Sequence, residues 1–262
     1  MTQITMMEDN SLLLDRRDNA RNVEFLGVVF TPLNAQQLLE RVVQRANSDE
    51  KFGFLITPNV DHFARLSKDD TYKHIYENSW MNVSDSRILE LFAKFSGFDL
   101  PACPGSDLTA NLMNDVIKAG DDITLIGGDA GIVEFLQNKY AVKVHWHEPP
   151  MGLKNKPDAL DEAGKFIANS PAKYHFVCVG SPQQELVCEA AMKYENAKGV
   201  GLCVGASMDF LAGRAKRAPK IMQQFRLEWL YRLLSEPKRL WKRYLIDGPR
   251  IFSVWLKWRK EK

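Results

Sequence analysis

Cysteine is scarce in this 262-residue sequence: four residues, at positions 103, 178, 188 and 203, with no C-x-x-C pair among them. That excludes a disulfide framework and predicts a reducing setting. No run of eighteen apolar residues occurs, which excludes an ordinary membrane-spanning helix. The opening segment MTQITMMEDNSLLLDRRDNARN carries one short leucine stretch and several acids, a poor match to a secretory signal. There is no G-x-x-x-x-G-K-[ST], so a P-loop nucleotidase is excluded, and no G-x-S-x-G elbow, which weakens a serine-hydrolase reading.

What is present is an uneven charge. The formal total is only +2, yet the segment from Gly213 to Lys262 holds fifteen Lys/Arg against four Asp/Glu. The remainder is correspondingly acidic. Such a split places a basic interaction surface at one end of an otherwise ordinary soluble chain.

The first 212 residues alternate short apolar runs with amphipathic segments. Strands are expected at Glu24–Phe30, Phe52–Thr57, Trp80–Val83, Ile123–Ile126, Val142–Trp146, His175–Val179 and Val200–Val204. Between them Asn34 can cap a helix through Leu38 and Val42, and Asp107 one through Leu108 and Leu112. Strands separated by helices predict a doubly wound, Rossmann-like α/β fold, its mostly parallel sheet covered by helices on both faces. Residues 1–22 are expected to be an unstructured tail, 23–212 the α/β core, and 213–262 a helical appendage.

In this architecture ligands bind beyond the carboxyl ends of the strands. Five loops there are polar or glycine-rich: Thr57–Asn59, Ser84–Arg87, Gly127–Gly131, Gly180–Glu185 and Gly205–Asp209. The glycine loop can meet a phosphate with backbone N–H groups or be a tight turn, and its Asp129 speaks against phosphate. Asp85 can take a proton from a substrate hydroxyl or cap the next helix. Gln184 and Glu185 open a helix, where an acid is also a generic first-turn stabiliser. His145 and His147 lack the further ligands that a metal site needs, and His62, His74 and His175 are isolated. Cys178 and Cys203, inside apolar strands, read as core residues.

No D-x-D pair exists, so a sugar-nucleotide enzyme built on this chain must meet the diphosphate with Arg/Lys or helix N-termini. That leads to the appendage. Pro219, Pro237 and Pro249 divide it into three short helical segments carrying four of the six tryptophans: 229, 241, 255 and 258. Aromatics interleaved with cations suit an anionic membrane surface. Packing against the core or an oligomer partner is the bland alternative. No motif supports nucleic acid, which is not expected as a partner.

Together the stretches Thr57-Pro58-Asn59, Ser84-Asp85, Gly105-Ser106-Asp107-Leu108, Leu125–Gly128, Gly180–Glu185, Gly205–Lys220 and Leu227–Arg243 resemble the WecG/TagA/CpsF glycosyltransferases, over roughly Glu24 to Arg243. The resemblance implies transfer of a sugar from a UDP-sugar to an undecaprenyl-diphosphate-linked acceptor, with inversion to a β linkage and with no metal or other cofactor. It implies Asp85 as general base, Thr57 and Asn59 in the sugar and acceptor pocket, Gln184 in the donor site, and Arg232 and Arg239 on the diphosphate, with a third cation at Lys242 or Arg243. Asp107 belongs to the matching G-x-D-L stretch. It also implies a cytoplasmic protein held peripherally at the inner membrane face, in surface-polysaccharide assembly.

Two departures stand near the acceptor side. Ser84-Asp85-Ser86 replaces the family's Ala-Asp-Gly, and Ala102 stands where an arginine is common. Glucose is thus as reasonable a cargo as N-acetylmannosamine, and Arg87 can supply the missing charge. A non-catalytic membrane-associated scaffold is the alternative function, and a nucleotide-dependent oxidoreductase has only the glycine loop behind it.

Overall fold

The computed structural model describes residues 22–215, 222, 228–235, 237–241, 245–246 and 248–262. The N-terminal tail, Pro219 and the cations at 242 and 243 lie outside these. In chain order the elements are β1 (Val23–Phe25), β2 (Val28–Phe30), α1 (Ala35–Ala46), β3 (Gly53–Ile56), α2 (Val60–Leu66), α3 (Lys73–Asn78), β4 (Met81–Asn82), α4 (Arg87–Phe95) and α5 (Gly105–Asn111), the last continuing as a π-helical turn. Then come β5 (Asp122–Ile126), α6 (Ala130–Tyr140), β6 (Lys143–His147), α7 (Pro157–Asn169), β7 (Tyr174–Val177), α8 (Gln183–Ala191), β8 (Val200–Cys203) and α9 (Ser207–Leu211). The appendage contributes α10 (Glu228–Ser235), α11 (Pro237–Trp241) and α12 (Arg250–Glu261).

Six strands form one parallel sheet in the order β4-β3-β8-β7-β5-β6. The expected α/β architecture with helices on both faces is what the chain adopts. The period of two in a strand divides the core. Phe54, Ile56, Ile126, Val177 and Cys203 face one layer, with α2, α3, α4, α7, α8 and α12. Leu55, Ile123, Leu125, Phe176 and Leu202 face the other, with α1, α5, α6 and α9. Strands buried on both faces need continuous apolar runs, and GFLI in β3 and VGLC in β8 supply them.

The single strand expected over Glu24–Phe30 is instead an antiparallel hairpin. Leu26 and Gly27 turn the chain with φ of 55° and 78°, the double positive φ of a two-residue mirror-image turn. Gly27 adopts this freely. Leu26 does so against its steric preference while its side chain packs on the core. The hairpin covers edge strand β4: Thr31 N–H donates to Asn82 O at 2.9 Å, and Asn82 Nδ2 donates to Val29 O at 3.0 Å.

Asn34 caps α1 as expected, in a reciprocal box with Gln37. Asp107 does not cap. Its helix begins two residues earlier, at Gly105, with Pro104 as the cap, so Asp107 lies in the first turn. Gly105 lets this helix end press onto the sheet edge, because a Cβ there would stand 3.2 Å from both Thr57 Oγ1 and Val204 Cγ1.

In the appendage Pro237 opens α11 and Pro249 caps α12. Two of its tryptophans pack on the core. Trp255 stacks on Phe92 at 4.9 Å and donates from Nε1 to Ser96 Oγ at 2.9 Å; Trp258 meets Phe25 edge-on at 5.1 Å. Phe95, Phe252 and Leu256 remain exposed on the outside of this α4–α12 pair.

Candidate active site

Parallel strands aim all their carboxyl ends the same way, so the loops after β3, β4, β7 and β8 gather at one edge of the sheet. Asp85 follows β4. Its backbone N–H donates to Pro58 O at 2.9 Å, which holds it beside the Thr57–Asn59 loop. Ser86, not Asp85, caps α4, accepting the Leu89 N–H at 3.3 Å. Of the two roles open to Asp85, the cap is thus filled by its neighbour, and the carboxylate is half-buried at the edge.

The other expected residues divide between loop ties and surface groups. The Thr57 hydroxyl is buried and donates to Cys203 O at 3.1 Å, joining the β3 and β8 loops. Asn59 caps α2: its Oδ1 accepts the Asp61 N–H at 3.1 Å. Gln184 is buried and accepts the Gly205 N–H at 3.0 Å, joining the β7 and β8 loops. Arg87 is exposed and pairs with Glu90 on its own helix at 3.1 Å. Asp107 is half-buried on α5, whose neighbours Ser106 and Ala110 line a cleft of about 480 Å³ with Phe210, Leu211, Gly213 and Tyr231. Arg232 and Arg239 fall on α10 and α11, but their side chains, like all of Arg243, lie outside the described residues.

The glycine loop is a turn, not a phosphate cradle. Asp129 Oδ1 accepts the Gly131 and Ile132 N–H groups at 2.8 and 3.2 Å, occupying two of the donors a phosphate would use. Its other oxygen pairs with Arg214, and this contact, with backbone hydrogen bonds, holds the Asp129 carboxyl below its usual range.

The least foreseen feature lies under the edge. Glu185 is no ordinary first-turn acid: it is fully buried and faces His62, whose Nε2 is 3.4 Å from its Oε1. The same Oε1 accepts from Gln184 Nε2 at 3.0 Å. Burial pushes the Glu185 carboxyl up, but His62 and neighbouring hydrogen bonds outweigh it and hold the group below the ordinary value. His62 Nδ1 accepts the Asn59 N–H at 3.2 Å. Alongside, Arg65 donates to Ser181 O at 2.6 Å and to Ser181 Oγ at 2.7 Å. Tyr76 stands edge-on to His62, its hydroxyl held protonated by burial and by Glu185. The spacing N-x-x-H at a helix start was the available sequence signal for His62, since it is a capping box with histidine in the third position.

Nucleophilic cysteine chemistry has no support. Burial pushes the Cys103 thiol up to about 11 and Cys178 up to about 12, so both are protonated near neutrality. His145 pairs with Asp122 at 2.7 Å, and His147 stacks on Phe166.

The comparison with known families joins these observations. Residues 23–262 match the family model described as Glycosyl transferase WecG/TagA/CpsF family. The chain belongs to this family. Its members are glycosyltransferases of bacterial surface polysaccharides, which implies in general a sugar donor and a lipid-linked acceptor. The match extends past Arg243 through α12, so the docked C-terminal helix falls within the family's span. Among the described residues no helix is long and apolar enough to cross a membrane.

Proposed function

We propose that this glycosyltransferase moves a hexose or N-acetylhexosamine from a UDP-sugar to a polyprenyl-diphosphate-linked saccharide, with inversion, and that Asp85 is its general base. The observation that carries the reading is the position of Asp85. It stands at the strand-end edge, tied to the Thr57–Asn59 loop, with helix capping delegated to Ser86.

In the step, an acceptor hydroxyl gives its proton to the Asp85 carboxylate. The freed oxygen attacks the anomeric carbon from the face opposite UDP, and the bond to UDP breaks with its electron pair leaving on the diphosphate. One carboxylate suffices, because UDP departs as a stabilised anion without a protein acid. No D-x-D pair is present to hold a cation, so the reading assigns the developing charge to arginines of the appendage, Arg232, Arg239 and Arg243. Arg87, exposed beside Asp85, is assigned to the acceptor's phosphate side.

The basic appendage is assigned to the anionic membrane surface where a prenyl-linked acceptor resides, with exposed Phe252, Leu256 and Leu234 as its apolar contacts. That places the enzyme peripherally at the inner membrane face.

The experiment is a panel of UDP-sugars with a synthetic prenyl-diphosphate monosaccharide, with and without EDTA. Turnover with at least one donor that survives EDTA, and a fall of roughly 10²–10⁴-fold in Asp85→Asn, is expected. Undiminished turnover in Asp85→Asn would remove Asp85 as the base.

A further inference from the structure

Three adjacent strands, β3, β8 and β7, end under the loops assigned to substrate, and their loops are braced pairwise. Thr57 joins β3 to β8, and Gln184 joins β8 to β7. The ring is closed by side chains of α2 that reach the first turn of α8 and the loop before it: His62 to Glu185, and Arg65 to Ser181. A carboxylate and an imidazole this deeply buried are costly unless they are paired and hydrogen-bonded. Here each holds one of the expected site residues. Glu185 Oε1 accepts from Gln184 Nε2 at 3.0 Å, which points the amide oxygen toward the Gly205 N–H. His62 Nδ1 lies 3.2 Å from the Asn59 backbone nitrogen and 3.0 Å from Asn59 Oδ1, which fixes the ring on the Asn59 loop while its Nε2 faces Glu185 Oε1 at 3.4 Å.

We propose that His62 and Glu185 are positioning residues for transfer, a buried pair that sets the orientation of Gln184 and of the Asn59 loop relative to one another. They touch no substrate; they act through Asn59 and Gln184. The inference rests on the sugar-transfer reading for its kinetic consequence, but not for its structural one. An exact amide orientation matters because a displaced donor contact of an ångström can cost 10²-fold in rate. Removing one partner of a buried pair also costs folding stability, so the local effect at Gly205 is read against exchange at core amides that open only on global unfolding.

Two variants of the full-length chain test this. Glu185→Gln keeps the shape and removes the charge. His62→Gln keeps the cap on Asn59, because glutamine in the third position closes the same box that Gln37 closes with Asn34, but removes the imidazole facing Glu185. Without any substrate, amide exchange at Gly205 is expected to speed at least tenfold in both, and by more than it does at the core amides of β5 and β7, which report global unfolding. With substrate, kcat/KM for the donor is expected to fall at least tenfold in each single variant and by no more than that in the double. Exchange at Gly205 unchanged from wild type, or speeded no more than at those core amides, overturns the pair as a brace. Exchange that speeds while kcat/KM stays within threefold overturns its role in transfer. Should one variant fail to fold, the other carries both readouts. A wild type with no turnover on any UDP-sugar would overturn the function proposed above, while Gly205 exchange would still decide the brace.

Discussion

Replacing Trp255 by alanine discriminates between two uses of the tryptophan-rich end. In the structure this ring stacks on Phe92 with 4.9 Å between centroids, donates to Ser96, and lies under the Arg259 guanidinium at 5.1 Å. Full truncation of a buried aromatic costs about 3–5 kcal/mol. Trp255 is half-buried, so part of that surface is never withdrawn from water, and the loss should be about 2–4 kcal/mol. The stacked pair and the indole hydrogen bond fall within this sum, at about 1 kcal/mol each. For a chain of this size that corresponds to a drop of roughly 4–7 °C in the unfolding midpoint. Urea unfolding followed by tryptophan fluorescence and circular dichroism measures it. A loss under about 0.5 kcal/mol, together with weakened binding to anionic vesicles, would refute the packing argument and return Trp255 to the membrane surface.

Other perturbations follow from the same structure. His175 is buried between Thr124 and Lys198 O, and burial lowers its pKa to about 4 from 6.5. The unfolded chain therefore takes up a proton below pH 6.5 that the folded one refuses until about 4, so stability is full above 6.5, falls by about 3 kcal/mol down to pH 4, and is level below that as far as this group is concerned. His175→Gln should flatten that slope in urea titrations at several pH values; identical slopes would show that another group is responsible. Gly164→Ala should cost about 1–3 kcal/mol, because its Cβ would stand 2.8 Å from the Ala190 backbone where α7 crosses α8, and a neutral outcome would mean the helices can part freely. Ser86→Ala should cost about 1 kcal/mol by uncapping α4. An unchanged midpoint would mean that another group caps the helix.

Much of the layout was legible in residue order because it depends on local periodicity. The β3, β5, β6, β7 and β8 runs are apolar enough to be found one by one, and the Asn34 box announces α1. Where reading failed, a neighbour in space had decided the matter. The Glu24–Phe30 run is apolar throughout, but covering the edge of β4 required it to fold back at Leu26-Gly27. Asp107 has the chemistry of a cap, yet the close approach that Gly105 permits started the helix earlier. In sequence the GGDAG loop is open to either a phosphate contact or a tight turn; Asp129 takes up the Gly131 and Ile132 N–H groups, and Arg214, 85 residues on, pairs with the same acid.

The candidate site shows the same division. The residue types at the strand ends, and the family they resemble, are local and ordered, so sequence order carries them: Thr57, Asn59, Asp85 and Gln184 stand in the loops where a parallel sheet presents chemistry. The charge split between body and appendage is likewise a property of composition alone. Which of these side chains face inward, and what holds them, depends on contacts across more than a hundred residues. His62 reads as an isolated histidine and Glu185 as a helix-start acid until the strand order β3-β8-β7 brings α2 and α8 together and buries both. Burial makes their polar contacts consequential, and burial is a property of the folded neighbourhood rather than of the residue.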